Sequence, residues 1–90
     1  MRDNVMIIDG RDNVGVALRD LTAGEKALCS GVEGLVVTDA IPASHKVALR
    51  DIAEGEEIIK YGEVVGVSAQ EIRCGAWVHT HNLESERWKK

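Results

Sequence analysis

Two histidines, His79 and His81, stand one residue apart near the end of the chain and are the first candidates for chemistry. Side chains alternate between the two faces of a β-strand, so an extended segment here places Trp77, His79 and His81 on one face. Two imidazoles at this spacing lie about 6 to 7 Å apart at their backbones. Their chemistry suits binding one metal ion together or acting as an acid–base pair. A role in packing or at the surface is the alternative, because such pairs also arise by chance.

A second candidate segment, Ser44–Lys46, begins a predicted strand. His45 alternates with Val47 and is predicted to point inward, whereas Lys46 then faces the opposite side. If this segment meets the other histidine segment, three imidazoles come together, enough for a metal site or a proton-transfer site. The alternative is that His45 and Lys46 line the exit of a turn at Pro42.

Four other polar residues are weaker candidates, either for contact with a substrate or for structure. Asp12 and Asn13 precede a predicted strand and are residue types that favour simple turns. Lys60 and Tyr61 combine a cation and a phenol beside a glycine; the alternative is a turn lysine and a packed tyrosine. The glycines do not form a dinucleotide or phosphate-binding loop, and no G-x-S-x-G nucleophile motif occurs.

The size and charge of the chain limit the classes of function. Its 90 residues predict a single domain over positions 1–90, too small to enclose a deep site without a partner. A net charge of −4 argues against nucleic-acid binding, which needs a basic patch to neutralise phosphates. Cys29 and Cys74 form no C-x-x-C pair, and no apolar run suits a signal peptide or a membrane span. We therefore expect a cytoplasmic protein that binds neither nucleic acid nor a membrane.

The elements that must position these residues are predicted to be short β-strands. Val and Ile are abundant and Phe is absent, and short apolar runs alternate with glycine turns, a pattern typical of a sandwich, barrel or clip-like β fold. A repeated motif has an acid, an aliphatic residue, two variable residues and a glycine. It predicts a turn in which the acid caps backbone N–H groups and the glycine takes a positive φ. Brief helical turns are expected at Asp20–Gly24, Asp51–Gly55 and Ala69–Gly75.

Four segments resemble, in their order along the chain, the SAF domain of the altronate and galactarate dehydratase family: 12–24, 41–55, 60–66 and 75–82. They include Asp12-Asn13-Val14, Ser44-His45-Lys46, Lys60-Tyr61-Gly62 and Val78-His79-Thr80-His81-Asn82. The resemblance spans nearly the whole chain and implies a β-clip fold. The family pattern often has glycine where this chain has Ser44, a change that restricts the turn but leaves His45 and Lys46 in place.

The resemblance also implies a reaction and a partner. In the single-chain dehydratases this domain precedes a much longer catalytic region, whereas the sequence here stops at Lys90. We therefore expect the small subunit of a dehydratase for sugar acids such as altronate or galactarate, inactive without a separate large subunit. The small subunit of (2R)-sulfolactate sulfo-lyase is also similar, which leaves elimination of sulfite as the alternative reaction. A divalent metal, Fe²⁺ or Mn²⁺, is expected to be held mostly by the large subunit.

Within such an enzyme, His45, His79 and His81 are expected to supply metal-ligand or acid–base functions at the subunit interface. Lys46 would neutralise an acidic substrate, and Asn82 would fix a histidine or a substrate oxygen. Elimination beside a carboxylate needs a base, an acid and a cation, which these residue types supply. Two other functions stay open: a non-catalytic module that binds sugar acids, and a domain that only stabilises a larger enzyme. Without the large subunit, a homo-oligomer is the alternative assembly.

Overall fold

Short antiparallel strands make up the regular structure of the chain, and the computed structural model describes it over residues 3–29, 31–79 and 82–84. The strands are β1 (Val5–Met6), β2 (Val14–Ala17), β3 (Lys46–Ala48), β4 (Glu57–Lys60), β5 (Glu63–Ser68), β6 (Trp77–Val78) and β7 (Leu83–Glu84). Four of them form one sheet in the order β1-β2-β3-β6, and the others form a second sheet in the order β4-β5-β7. The expectation of a mainly β fold is confirmed.

Paired turns replace the short helical turns that the sequence suggested. The residues that the structure describes contain no helix. They therefore contain no helix that is long and apolar enough to cross a membrane. Leu21 of one turn exchanges two backbone hydrogen bonds with Ile41, and Ile52 does the same with Ile72. Because these amides and carbonyls are already paired across turns, they are not available for the ladder of bonds that a helix requires.

The hydrophobic core is divided into two clusters that lie on opposite faces of β3. Val47 packs in a cluster with Leu21 and Ile41, whereas the next residue, Ala48, packs in a cluster with Ile52. All five side chains are almost completely buried. Strand alternation requires this division, since successive side chains point to opposite faces of a sheet. Each residue of β3 is therefore committed to one face.

The repeated acid of the turn motif joins one turn to another. The carboxylate of Asp20 accepts a hydrogen bond from the backbone N–H of Ala43 at 2.8 Å, and Asp51 accepts the equivalent bond from Cys74 at 2.8 Å. Asp51 and Cys74 follow Asp20 and Ala43, respectively, by 31 residues, which is also the spacing between the two copies of the motif. The acid caps a backbone N–H as expected, but that N–H belongs to the neighbouring turn. The acid of the turn motif thus joins two turns that are 23 residues apart in the sequence.

Two glycines in these turns differ in how much room a side chain would have. Gly55 and Gly75 both have a left-handed backbone, with φ of 81° and 89°. A Cβ at Gly55 would meet open space, whereas a Cβ at Gly75 would stand 2.1 Å from the carbonyl oxygen of Val36. Both positions therefore favour glycine, and only the second lacks room for a side chain.

Substituting these two glycines separates backbone strain from steric overlap. We expect Gly55→Ala to lower the free energy of unfolding by about 1 to 2 kcal/mol, the cost of a left-handed conformation with a Cβ. Gly75→Ala is expected to cost about 1 to 3 kcal/mol more, because the backbone around Val36 must also shift. Urea denaturation of both variants measures the difference, and equal losses would contradict the close approach at Gly75.

Candidate active site

His45 is positioned by the tight turn that leads into β3. Its backbone N–H donates to the carbonyl of Pro42 at 3.1 Å. Ser44 has a φ of 71°, a conformation that glycine adopts without strain and that a serine occupies at some cost. The imidazole is half-buried. It lies on the face of β3 that carries Val47, two residues further along.

Trp77, in the neighbouring strand β6, and His79, just beyond the end of that strand, both approach His45. Trp77 is the cross-strand partner of Val47, and its Nε1–H donates to Nδ1 of His45 at 3.0 Å. The ring centroids of His45 and His79 are 4.5 Å apart. The rings of Trp77 and His79 are stacked, with centroids 5.5 Å apart and planes inclined by 6°. The two histidine segments therefore meet, and we refer to His45, Trp77 and His79 as the imidazole–indole cluster.

Asn82 fixes the backbone that carries this cluster. Its side chain is 3% exposed, Oδ1 accepts the N–H of His79 at 2.9 Å, and Nδ2 donates to the carbonyl of Trp77 at 2.8 Å. β6 ends at Val78, and the N–H of Asn82 donates to the His79 carbonyl, so the chain turns here. The expectation that the strand includes His79 is therefore wrong. His81 itself lies outside the described residues. The described contacts of Asn82 hold a histidine backbone.

The same amide clasp recurs at two other buried asparagines. Asn13 donates from Nδ2 to the carbonyl of Glu57 at 2.8 Å and accepts at Oδ1 from the N–H of Ile59 at 2.7 Å. Asn4 makes the equivalent pair of bonds to another strand segment. A primary amide suits this position because it carries donors and an acceptor together. Asn13 therefore has structural contacts, and the sequence analysis missed Asn4, which had no motif around it.

Lys46 lies on the opposite face of β3 from His45. Its cross-strand partner Val78 belongs to the second core cluster, and such partners share a face. Burial and, secondarily, the positive charge of Lys60 lower the pKa of Lys46. Lys46 therefore does not join the imidazole–indole cluster, and the expectation that it acts in one site with the histidines is wrong.

The ammonium group of Lys60 lies 5.0 Å from the ring centroid of its neighbour Tyr61.

Asp12 joins the turn that begins at Asp9 to the turn at Gly62. Its carboxylate accepts the N–H of Gly62 at 2.7 Å and the N–H of Asp9 at 3.1 Å. Burial acts to raise the pKa of this carboxyl, but the backbone N–H groups together outweigh it and lower the pKa below 3.8. Tyr61, beside this contact, is 41% exposed and has a φ of 56°. These contacts assign a structural role to Asp12 and hold the Tyr61 turn in place.

The metal prediction depends on residues beyond the cluster. The described part of the chain contains no group of three His, Cys, Asp or Glu side chains arranged to hold a metal ion. His45 and His79 lie together, but catalytic metals usually take three protein ligands. The Nδ1 atom of His45 already accepts a hydrogen bond from Trp77. The described residues alone therefore do not fit Fe²⁺ or Mn²⁺.

The fold and the site define a small all-β domain with a half-buried imidazole–indole cluster on an edge strand. The sequence profile of the altronate/galactarate dehydratase SAF domain matches residues 3–86. The chain belongs to this family, and the resemblance expected from its motifs is confirmed.

The chain is similar both to proteins named as dehydratases and to proteins named as sulfo-lyase subunits. Altronate dehydratase of Bacillus subtilis (strain 168) is 41% identical over 78 residues, 87% of this chain and 16% of that protein. The (2R)-sulfolactate sulfo-lyase subunit alpha of Chromohalobacter salexigens is 52% identical over 52 residues, 58% of this chain and 55% of that subunit. Galactarate dehydratase (L-threo-forming) of Escherichia coli (strain K12) is 43% identical over 67 residues, 74% of this chain and 12% of that protein. The chain thus spans a small part of the dehydratases and about half of the sulfo-lyase subunit.

Removing the Asn82 clasp tests what positions the cluster. We expect Asn82→Ala to lower the free energy of unfolding by about 1 to 3 kcal/mol, because two buried backbone groups lose their partners. The indole N–H resonance of Trp77 should also shift, since the carbonyl and ring of that residue are no longer held. Asn13→Ala is the matched control: it removes the same pattern of bonds and should leave that resonance in place. An unchanged Trp77 resonance in Asn82→Ala would contradict the positioning role.

The Asp12 contact predicts a dependence of stability on pH. Since the pKa of Asp12 is lower in the folded chain, the ionised carboxylate stabilises the fold above pH 3.8, and this contribution is lost as the pH falls further. The difference in free energy of unfolding between the parent chain and Asp12→Asn should therefore shrink below pH 3.8. Denaturation at a series of pH values measures it, and a constant difference would exclude the contribution of the charge.

Proposed function

We propose that this chain is the SAF subunit of a lyase that acts on sugar acids, and that its imidazole–indole cluster completes the active site of a separate large subunit. The observation that carries the proposal is the contact between His45 and His79, whose ring centroids are 4.5 Å apart, in a chain of this family. The cluster lies at β6, which is an edge strand of its sheet in the part of the chain that the structure describes. Its half-buried rings suit a site that is shared between two chains better than one enclosed by this chain alone.

The chemistry of elimination agrees with these residue types. Loss of water or sulfite beside a carboxylate requires removal of a proton and stabilisation of the developing negative charge. Imidazoles can exchange protons and donate hydrogen bonds near neutral pH, which makes His45 and His79 the residues to which we assign these functions. Lys46, on the other face of the sheet, is left out of this assignment. A divalent metal, Fe²⁺ or Mn²⁺, would be bound mostly by the large subunit and would supply a positive charge for the substrate carboxylate.

Different relatives support two different classes of substrate. The relatives named altronate dehydratase and galactarate dehydratase match most of this chain. They favour a substrate that is a hydroxy acid and loses water. The sulfo-lyase relatives favour sulfolactate, and their name, subunit alpha, supports an assembly of more than one kind of chain. We place dehydration first because the family profile that covers residues 3–86 is that of the dehydratases.

Substitution of each histidine in the assembled protein tests the proposal. The chain is purified from its native cells with its partner, and the assembly is assayed on altronate, galactarate and sulfolactate. His45→Ala and His79→Ala should each lower turnover by about 100-fold or more, the contribution typical of a positioned acid, base or hydrogen-bond donor. Arg73→Ala is the control, since that side chain is 76% exposed and should leave turnover unchanged.

The outcomes separate three functions. Loss of turnover with folding and assembly intact supports a catalytic subunit. Full turnover in both histidine variants would refute the assignment of chemistry to this domain. Binding of a sugar acid by the chain alone, without any effect of the histidines on a reaction, would instead identify a binding module. A large subunit that is fully active but less stable without this chain would identify a structural role.

A further inference from the structure

The hydrogen bond between Trp77 and His45 determines where the imidazole carries its proton. An indole Nε1–H is a donor only, so the Nδ1 atom of His45, 3.0 Å away, must present a lone pair. A neutral imidazole has one N–H and one acceptor nitrogen. Neutral His45 therefore carries its proton on Nε2.

This tautomer makes His45 a poor metal ligand. A metal bound at Nε2 needs the lone pair on that nitrogen, which would move the proton to Nδ1 and set it against the Trp77 N–H. A metal bound at Nδ1 would have to displace the indole. Each alternative breaks the 3.0 Å hydrogen bond. What the arrangement preserves is an Nε2–H that donates to none of the described residues and can donate to an acceptor from outside the chain.

The indole is itself held from several directions. The backbone N–H of Trp77 donates to the carboxylate of Asp39 at 3.0 Å, and its carbonyl accepts from Asn82 at 2.8 Å. Its ring stacks against His79 at 5.5 Å. A donor fixed in this way can impose one orientation and one tautomer on the imidazole that accepts from it.

We infer that Trp77 is a positioning residue that holds His45 as an Nε2–H hydrogen-bond donor to an oxygen of the hydroxy-acid substrate, either carboxylate or hydroxyl. The inference rests on the proposed function for its substrate, whereas the tautomer depends only on the geometry of this chain. It removes His45 from the three histidines considered as metal ligands and gives it a distinct function. A neutral imidazole in this role polarises an oxygen without giving up its proton.

Nitrogen NMR of the full chain tests the tautomer without any assay of activity. Uniformly ¹⁵N-labelled protein at a pH where His45 is neutral should show its proton on Nε2. It should also show a scalar coupling across the hydrogen bond between Nε1 of Trp77 and Nδ1 of His45. Trp77→Phe keeps an aromatic ring but removes the donor, so the preference for Nε2–H should weaken, whereas Tyr61→Phe, which removes the hydroxyl of an exposed ring outside the cluster, should leave it unchanged. Absence of the coupling in the parent chain, or a proton on Nδ1, would overturn the inference even if Trp77→Phe does not fold.

A titration with Zn²⁺ alone, a diamagnetic ion that binds neutral imidazole, distinguishes a donor from a ligand. The Nε2 proton of His45 and its coupling to Trp77 should persist through the titration, and loss of either would overturn the inference by making His45 a ligand.

Kinetics of the assembled protein then test the consequence. Trp77→Phe should lower kcat/KM for the hydroxy acid by about 3- to 10-fold, the range expected for weakening one hydrogen bond, relative to the exposed-site control Arg73→Ala. Equal kinetics in these two variants, with His45→Ala inactive, would refute the positioning role and leave the proposed function standing. An active His45→Ala assembly would refute the donor role of His45, and full turnover in His79→Ala as well would refute the proposed function itself. The NMR result would still decide the tautomer.

Discussion

The alternation of side chains along β3 is the constraint on which the arrangement of the domain depends. His45 and Val47 belong to one face, and Lys46 and Ala48 to the other, and each face is backed by its own core cluster. A shift of one residue in the pairing of β3 with β6 would expose both clusters and separate the two imidazoles. Packing of the two cores and assembly of the candidate site are therefore secured by the same register. This explains how such short strands can hold a defined cluster.

Polar contacts complete what a small core cannot do alone. A domain of 90 residues buries a modest share of its apolar surface, so it has little stability to lose at any unpaired buried group. Asn4, Asn13 and Asn82 each satisfy a backbone carbonyl and a backbone N–H in a nearby segment. Two of these clasps support the general fold, whereas the third holds the backbone on either side of Val78. The device that stabilises the domain thus also orients Trp77 and His79.

Much of the fold could be predicted from the sequence, since β-branched runs, turn glycines and the repeated acid motif all act locally. The helical turns were wrong because backbone pairing between Leu21 and Ile41, far apart in sequence, leaves no amides for a helix. Strand alternation correctly separated Lys46 from His45, but the contact between His45 and Trp77 depends on the pairing of β3 with β6, which no local pattern encodes. The roles of His81 and of a metal, the single-domain boundary and the cytoplasmic location stay predictions.

The central claim is that the imidazole–indole cluster lies at a site shared with a large subunit. The most direct measurement is a structure of the chain assembled with the large chain that purifies with it, with a hydroxy acid bound. The account predicts that Nε2 of His45 lies within hydrogen-bonding distance of a substrate oxygen, with His79 beside it and Trp77 still donating to Nδ1. A structure in which His45 and His79 face solvent, away from both partner and substrate, would contradict it.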